Sequence, residues 1–504
     1  MSPITTVVLA LTLWAGCVTA INILPDDVLL LIFHFDRVTY FEDVDRMIDD
    51  SSNQGPRIPV SDRDIRLWRL PWGWRRLAHV CQRWRSVVFA SPNFLDLKLV
   101  CGPWTRVGLT GIWPSLPIIV RNMYDLRMPK DYDFDAAIVH RNRVCDINLF
   151  HLSSSQLLRL ASAMQDHFPA LIHLKLDFDI YDGTPAPALP DGFSAPRLQT
   201  LILRYIPFPT LPKLLLSATD LVKLILVGIP QTGYFTPEAL VTGLTVSANL
   251  KSLVIGFTSP LSRPDRESRH SLPTTRSVLP ALTYFYFHGV SEYLEDVVAR
   301  IDTPLLYAID ITFFNQLIFD IPQLSQFLER ATKLKAFNNS EACVEFDSFG
   351  VRFGSPQASW TRSSDEGFEL MISSKKLDWQ LSSLAPVLMS FLPFTYMVEH
   401  LYIYVLRPLP SQWLDDIEDV QWLDIFYPFT IVKNLYVCEE FAQCIAFTLQ
   451  ELVVERVTEV FPVLETLFLE ELQPSGPVQE AIGKFITARE LLGHPVAVSQ
   501  WNRT

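Results

Sequence analysis

The chain has 504 residues and a formal net charge of −13, and this acidity argues against a nucleic-acid-binding protein, whose surface would be basic. Hydrophobic residues make up 49% of the chain, so a large core can form and disorder over most of the length is excluded. The seven cysteines show no repeating framework of the kind that disulfide-stapled domains have, so the composition requires no oxidising compartment.

Residues 1–20 form an apolar leader that admits more than one interpretation. The run from Val7 to Val18 is apolar, and Val18 and Ala20 suit the small-residue rule at a signal cleavage site. However, no Lys or Arg precedes Arg37, whereas a signal peptide normally starts with a basic segment. The run is also shorter than the roughly 20 apolar residues that span a bilayer. The leader is therefore an export signal, an extra helix, a membrane-surface anchor or a misassigned start of the reading frame.

The first predicted helix comes directly after the leader. Pro25 suits the first helical position because its missing N–H would have no partner there, and the two aspartates after it place negative charge at the positive end of the helix dipole. The helix is apolar nearly all round, so it needs a core on one side and leaves apolar surface for a partner on the other. Its apolar positions are Val28, Leu29, Ile32 and Phe33.

A second helix is predicted after an insert at residues 37–70, whose acidic first half and central Gly55-Pro56 indicate a surface loop. Ser91-Pro92 ends this helix. Seven arginines lie between Arg63 and Arg85, a pattern typical of a solvated face with packed stems, with a protein-binding surface as the alternative. The apolar stripe of the helix consists of Leu77, Val80, Cys81, Trp84 and Val88.

Together the two helices resemble an F-box, the short helical module that binds the Skp-type adaptor of cullin-based SCF ubiquitin ligases. The resemblance lies in Leu24-Pro25 and Ile32-Phe33, and then in Val80-Cys81, Trp84-Arg85 and Ser91-Pro92. It places the module at residues 21–93, and residues 95–121 resemble the segment that comes after this module in many basidiomycete F-box proteins. The adaptor-binding residues that the resemblance implies are Leu24, Pro25, Val28, Leu29, Ile32, Phe33, Val80, Cys81, Trp84 and Arg85.

The resemblance bears on the leader, because an F-box works in the cytosol or nucleus. A signal peptide that ended at Ala20 would send the module elsewhere. We therefore expect a cytoplasmic or nuclear protein without a membrane partner, and the secretory pathway is the alternative if residues 1–20 act as a signal peptide.

After a connecting segment at residues 94–143, residues 144–504 carry a recurring triplet of apolar positions, spaced three and then two. From Leu171 to Leu306 the triplets start 23 to 32 residues apart, close to the leucine-rich-repeat range but irregular. A strand followed by a helix cannot bury its apolar face alone, so neighbouring units must stack. The pattern fails at residues 338–380, which indicates a loop-rich or degenerate repeat. The expected fold is α+β, with a small N-terminal helical F-box followed by an irregular α/β leucine-rich-repeat-like solenoid.

Motifs that carry chemistry are not found. The stretch from Asp177 to Gly183 departs from the spacing of a calcium loop, and Cys438 and Cys444 lack a zinc-ligand spacing, so they indicate small core residues. No Gly-rich phosphate loop comes after a predicted strand, and no nucleophile elbow occurs. We therefore expect no catalytic residues, no metal and no cofactor.

The residue between the last two apolar positions of each triplet should point away from the helices, because side chains alternate along a strand. The aromatic members of this set suit an apolar peptide or protein target, and no nucleic acid is expected. The alternative is that loops cover this face and the side chains belong to the core. In the ligase hypothesis the chain binds the adaptor, the cullin scaffold and an unknown target. The alternative hypothesis is an exported or membrane-tethered leucine-rich-repeat ligand-binding protein. The residues that the rule selects are Lys175, Ile202, Ile225, Val254, Tyr286, Asp310, Tyr402, Tyr436 and Phe468, of which Tyr286, Tyr402, Tyr436 and Phe468 are the predicted target-binding residues.

Overall fold

The computed structural model of the chain has mixed α/β structure with mostly parallel β-sheet. The chain separates into two compact units, residues 1–198 and 199–504. The leader and the insert lie outside the described residues. The residues that the structure describes are 24–34, 77–78, 80–92, 94–102, 115–122, 135–262, 275–316, 319–334, 340–356, 367–374, 377–390, 395–406, 419–452, 456–470 and 475–502.

Four helices and a short parallel sheet make up the described part of the first unit. In chain order the elements are α1 (26–34), α2 (Gln82–Ala90), β1 (Leu99–Cys101), β2 (Ile118–Arg121), α3 (Asp135–Ile138), β3 (Val144–Leu152), α4 (Ser154–Ala163) and β4 (His173–Phe178). The strands pair in the order β1-β2-β3-β4, all parallel. Because β1 and β2 lie within residues 94–143, the sheet begins inside the segment that we expected to be a connection.

A longer alternation of strands and helices forms the second unit. Its elements are β5 (Thr200–Arg204), α5 (Leu211–Leu215), β6 (Lys223–Ile229), α6 (Pro237–Leu244), β7 (Ser252–Phe257), β8 (Ser277–Val278), β9 (Tyr284–Gly289), α7 (Ser291–Val298), β10 (Ile301–Asp302), β11 (Ala308–Phe314), α8 (Pro322–Arg330), β12 (Glu341–Phe346), β13 (Gly350–Gly354), β14 (Gly367–Ser373), α9 (Leu377–Ser390), β15 (His400–Val405), α10 (Asp419–Phe426), β16 (Asn434–Val437), α11 (Glu439–Glu451), β17 (Thr466–Leu469), α12 (Pro477–Leu491) and β18 (Ala497–Gln500). The short strands β8 and β10 pair only with each other.

The strand order of the second unit matches the chain order except at one place. The order is β5-β6-β7-β9-β11-β14-β13-β12-β15-β16-β17-β18. Strand β13 runs antiparallel to both β12 and β14, whereas β14 is parallel to β11 and β12 is parallel to β15. The described part of residues 338–380 is therefore largely regular strand and helix instead of loop-rich, and the triplet fails there because an antiparallel strand needs no crossover helix.

Alternating burial explains why the triplets mark strands. In β9 the side chains of Phe285 and Phe287 are fully buried, whereas Tyr284 and Tyr286 on the other face are partly exposed. The same alternation runs through β4, β5, β11 and β14. The buried face belongs to the core, so we call the opposite face of the second unit's sheet its open face.

Candidate protein-binding surfaces

Helix α1 buries one side and exposes the other. The Leu29 N–H donates to the Pro25 carbonyl at 3.0 Å, so Pro25 precedes the helix and Asp26 is the first helical residue, one position later than expected. Leu29 and Phe33 are 0% and 1% exposed, so their side chains pack inside the chain. Pro25 is exposed, and three further residues of the expected set are partly exposed: Leu24, Val28 and Ile32.

The second helix is interrupted at Cys81, where the sequence indicated a continuous stripe. Cys81 has extended backbone angles, and its Sγ accepts a hydrogen bond from the Trp84 N–H at 3.4 Å, so it acts as the N-cap of α2. The expectation of one uninterrupted helix is therefore wrong. Val80 lies before this break with 59% of its surface exposed, and Arg85 Nε donates to the Ala78 carbonyl at 3.0 Å across it.

Two contacts hold α1 against α2. The rings of Phe33 and Trp84 have centroids 4.7 Å apart. The Arg83 guanidinium donates to the Asp26 carboxylate, at 3.0 Å from Nε and 2.6 Å from Nη2, and also to the Leu24 carbonyl. Phe33 and Trp84 belong to the predicted set, whereas Arg83 does not, although the arginine cluster was a signal for it. These contacts join the two helices, and Leu31 of α1 remains 49% exposed.

The open face of the second unit carries the predicted target-binding residues. Tyr286, Tyr402, Tyr436 and Phe468 are all partly exposed, as the alternation rule expects. Val254, from the wider set, is buried instead. Three of the four aromatic residues come together, because their strands β15, β16 and β17 are neighbours in register.

An aromatic ladder results, which we define as Tyr402, Tyr436 and Phe468. The centroids of Tyr402 and Tyr436 are 4.2 Å apart and those of Tyr436 and Phe468 are 4.4 Å apart, with ring planes within 12° of parallel. Trp501, which is absent from the predicted set, lies 5.7 Å from Tyr436 and 5.9 Å from Tyr402 between centroids. Burial raises the pKa of Tyr402 and of Tyr436 above the usual value, so both hydroxyls stay protonated.

Tyr286 lies apart from the ladder, in a polar strip on strands β9 to β12. Asp310 is its register partner and accepts a hydrogen bond from the Tyr284 hydroxyl at 2.7 Å. On the next strands the Arg352 guanidinium pairs with Glu345 and lies 3.4 Å from the Glu369 carboxylate. Strand order places β11, β14, β13, β12 and then β15 beyond β9, so Tyr286 and Tyr402 are five strand steps or about 24 Å apart.

One group of potential metal ligands occurs among the described residues. Atoms of Cys438, Glu440 and Glu470 lie within 4.8 Å of one another. Burial, and then the neighbouring Glu440, raises the pKa of the Cys438 thiol, which disfavours the thiolate that a metal needs. Cys438 is fully buried, as expected for a core residue.

The acidic loop after β4 has a structural role. The Asp182 carboxylate accepts hydrogen bonds from the Ser154 N–H at 2.9 Å and the Thr184 hydroxyl at 2.8 Å, and these bonds lower its pKa. It therefore supports the start of α4, where Ser153 and Gln156 form a capping box.

Comparison of the chain with models of known protein families and with curated proteins gives no match. Among the helices of the described residues, none has the length and apolarity that crossing a bilayer requires. Two surfaces of the chain are therefore the basis for assigning a function: the exposed side of α1 and α2, and the open face of the second unit.

Proposed function

We propose that this chain is the substrate-recognition subunit of an SCF-type, cullin-based ubiquitin ligase. In this proposal α1 and α2 bind the Skp-type adaptor, the open face of the second unit binds a target protein, and ubiquitin transfer occurs on other subunits. The observation that carries the proposal is the α1–α2 pair, which Phe33, Trp84 and Arg83 hold together while Leu24, Pro25 and Val80 remain at the surface.

Non-catalytic function is a consequence of this role. A receptor accelerates ubiquitin transfer by holding target lysines near the charged carrier, which raises their effective concentration without chemistry of its own. The chain then needs neither a nucleophile nor a cofactor. It would act in the cytoplasm or nucleus, where the other ligase subunits are.

Co-purification with a Skp-type adaptor tests the proposal. Burying an apolar side chain contributes about 1.5 to 3 kcal/mol, so the L24A/P25A double variant should lose most adaptor recovery while remaining folded. The matched control is L491A/L492A, which alters two exposed residues near the end of α12 in the second unit and should recover the adaptor fully. Equal recovery with L24A/P25A and with the unaltered chain would contradict the proposal.

The second candidate is an exported or membrane-tethered ligand-binding protein, and the apolar leader with Val18 and Ala20 favours it. Mapping the N-terminal peptide of the protein from cell fractions separates the candidates. A mature N-terminus at Ile21 in the secretory fraction supports export, whereas an intact leader in the cytosolic or nuclear fraction supports the ligase role.

A further inference from the structure

The open face between β9 and β12 carries more negative than positive charge. Among the described residues of these paired strands, four carboxylates and one guanidinium lie on this face, an excess of three negative charges. Asp310 and Glu369 are direct register partners on neighbouring parallel strands, and like charges opposite each other destabilise a sheet. These charged residues are Asp310, Glu369, Glu345, Glu341 and Arg352.

A second observation points to the same strip. The Glu345 side chain is 2% exposed, and although Oε2 pairs with Arg352, its Oε1 has no hydrogen-bond partner. Burying a carboxylate oxygen without a donor is unfavourable. The guanidinium of Arg352 is shared between Glu345 and Glu369, and it is the one positive charge that the described residues of these strands place on this face beside four carboxylates.

The chemistry that complements this strip is that of an arginine side chain. A guanidinium offers donors in a planar fork that matches carboxylates, and it stacks on aromatic rings, whereas a lysine offers a point charge. The partly exposed ring of Tyr286 lies beside Asp310, so a carboxylate and an aromatic face are available together. An acidic strip of this kind repels the phosphates of a nucleic acid.

The distance from Asp310 and Glu369 to the aromatic ladder predicts how far apart the two binding residues of a peptide ligand lie in its sequence. Glu369 on β14 is three strand steps from Tyr402 on β15, and Asp310 on β11 is four, which at about 4.8 Å a step gives about 14 and 19 Å. An extended peptide rises about 3.3 Å per residue, so it spans this distance in about four to six residues. Apolar and aromatic side chains then meet the ladder while an arginine meets the strip.

We propose that the open face binds an extended segment of the target protein that places an arginine against Asp310 and Glu369 and an apolar residue, about four to six positions away, against the Tyr402–Tyr436–Phe468 ladder. The proposal rests on the proposed function in taking the ligand to be a target protein. The charge excess is then a binding feature that the unliganded chain tolerates at a cost in stability.

The test uses fluorescent peptide pools and the full-length chain, with binding measured by fluorescence anisotropy. Each pool contains peptides with a fixed tryptophan about five residues before or about five residues after one fixed position, randomised neutral residues elsewhere, and arginine, lysine or citrulline at the fixed position. Citrulline keeps the shape of arginine without its charge. We expect the arginine pool to bind at least about tenfold more tightly than the citrulline pool and more tightly than the lysine pool.

One double variant and a matched control test whether the preference for arginine comes from Asp310 and Glu369. In D310N/E369Q the amides keep acceptor oxygens for Tyr284 and Arg352, so this variant should fold, unfold at a higher temperature and lose the arginine preference. The control E329Q/E490Q removes two exposed carboxylates on α8 and α12 and should keep the preference. Failure of the arginine pool to bind, equal binding of the three pools, or an unchanged preference in D310N/E369Q would overturn the proposal.

The adaptor experiment distinguishes this inference from the proposed function. Arginine-dependent peptide binding without adaptor recovery would refute the ligase role and leave the peptide surface in place. Adaptor recovery without arginine-dependent peptide binding would refute the proposed peptide-binding role of the open face and leave the ligase role in place.

Discussion

The Tyr402 and Tyr436 rings stack with centroids 4.2 Å apart and planes 12° from parallel, although the two residues are 34 positions apart in the sequence. Because β15 and β16 are parallel and pair Tyr402 with Tyr436 in register, the two side chains lie side by side on the same face of the sheet. Stacking of side chains across neighbouring parallel strands therefore turns single aromatic residues into a continuous surface.

Tyr436 occupies the centre of the ladder, and Y436A should destabilise the protein. Each aromatic pair contributes about 0.5 to 1.5 kcal/mol beyond area burial, and Tyr436 stacks on both Tyr402 and Phe468, so we expect a loss of about 1 to 3 kcal/mol. Y436F keeps both stacks and should cost less. Chemical denaturation measures the difference, and equal losses in the two variants would contradict the role assigned to stacking.

The Arg489 side chain is fully buried in α12 and donates to the carbonyls of Val457, Phe461, Pro462 and Leu464 at 3.1 to 3.4 Å. Burial lowers its pKa, but the bonded carbonyls hold the charged group in place. R489M should destabilise the fold by about 3 kcal/mol or more, because it leaves buried acceptors without donors. R489K should lose less, since an ammonium keeps some of these bonds. A denaturation midpoint unchanged in R489M would refute this.

Glu295 on α7 accepts hydrogen bonds from the Gln323 and Leu324 N–H groups at 2.9 and 2.7 Å, at the start of α8. Burial raises its pKa to about 7, against the opposing effect of these two donors. The folded state thus binds the proton more tightly than the unfolded state, whose glutamate pKa is about 4.3. This contribution to stability is fully present below about pH 4.3 and is lost as pH rises through 7.

The expected difference in unfolding free energy across that window is about 3 kcal/mol. Denaturation of the unaltered chain between pH 4.5 and 8 measures it, and E295Q should flatten the slope. The exposed Glu329 on α8 provides the control, because E329Q should leave the slope intact. A slope that persists in E295Q would assign the effect to another group.

In the proposed adaptor surface, Val80 is expected to contact the adaptor directly, whereas Phe33 is expected to support the surface from inside the chain. V80A removes a side chain that is 59% exposed, so it should weaken adaptor binding without changing the unfolding midpoint. F33A removes a ring that is 1% exposed and packs on Trp84, so it should lose about 3 to 5 kcal/mol and adaptor recovery together. If V80A still bound the adaptor with unchanged affinity in a titration, Val80 would not belong to the adaptor-binding residues.

Strand positions could be predicted from the sequence because alternation and burial are local. Leu174 and Leu176, or Phe285 and Phe287, are buried on one face of a strand, as their spacing of two requires. The strands around Gly350 could not be predicted, since an antiparallel pair is joined by a tight turn in which the Phe349 and Gly350 N–H groups bond to Asp347. Nothing in the triplet encodes such a reversal.

The four predicted target-binding residues lie on the open face as expected, whereas Val254 of the wider set is buried, and which of the four meet depends on strand order. Tyr402 and Tyr436 meet because no strand intervenes, whereas Tyr286 is separated from Tyr402 by strands whose order reverses along the chain. Trp501 was missed because a single short strand at the end of the chain, Ala497–Gln500, carries too few residues for a periodic signal. Cys81 was assigned to a stripe because its spacing fits a helix, although its side chain caps one.

The reversed order β14-β13-β12 also has a kinetic consequence. In a regular repeat array each new strand can dock on its predecessor as the chain emerges, so folding propagates from neighbour to neighbour. Here the next long strand after β11 is β12, which pairs with β13 and β15 and not with β11. The edge of β11 therefore stays unpaired until β14 has been synthesised and can pair with it. Strand-by-strand folding that starts at β5 therefore stops at β11. The strands from β15 to β18 must pair with one another on the other side of β14, β13 and β12. Closing the gap between the two growing segments then becomes the slow, high-contact-order event in the folding of this unit.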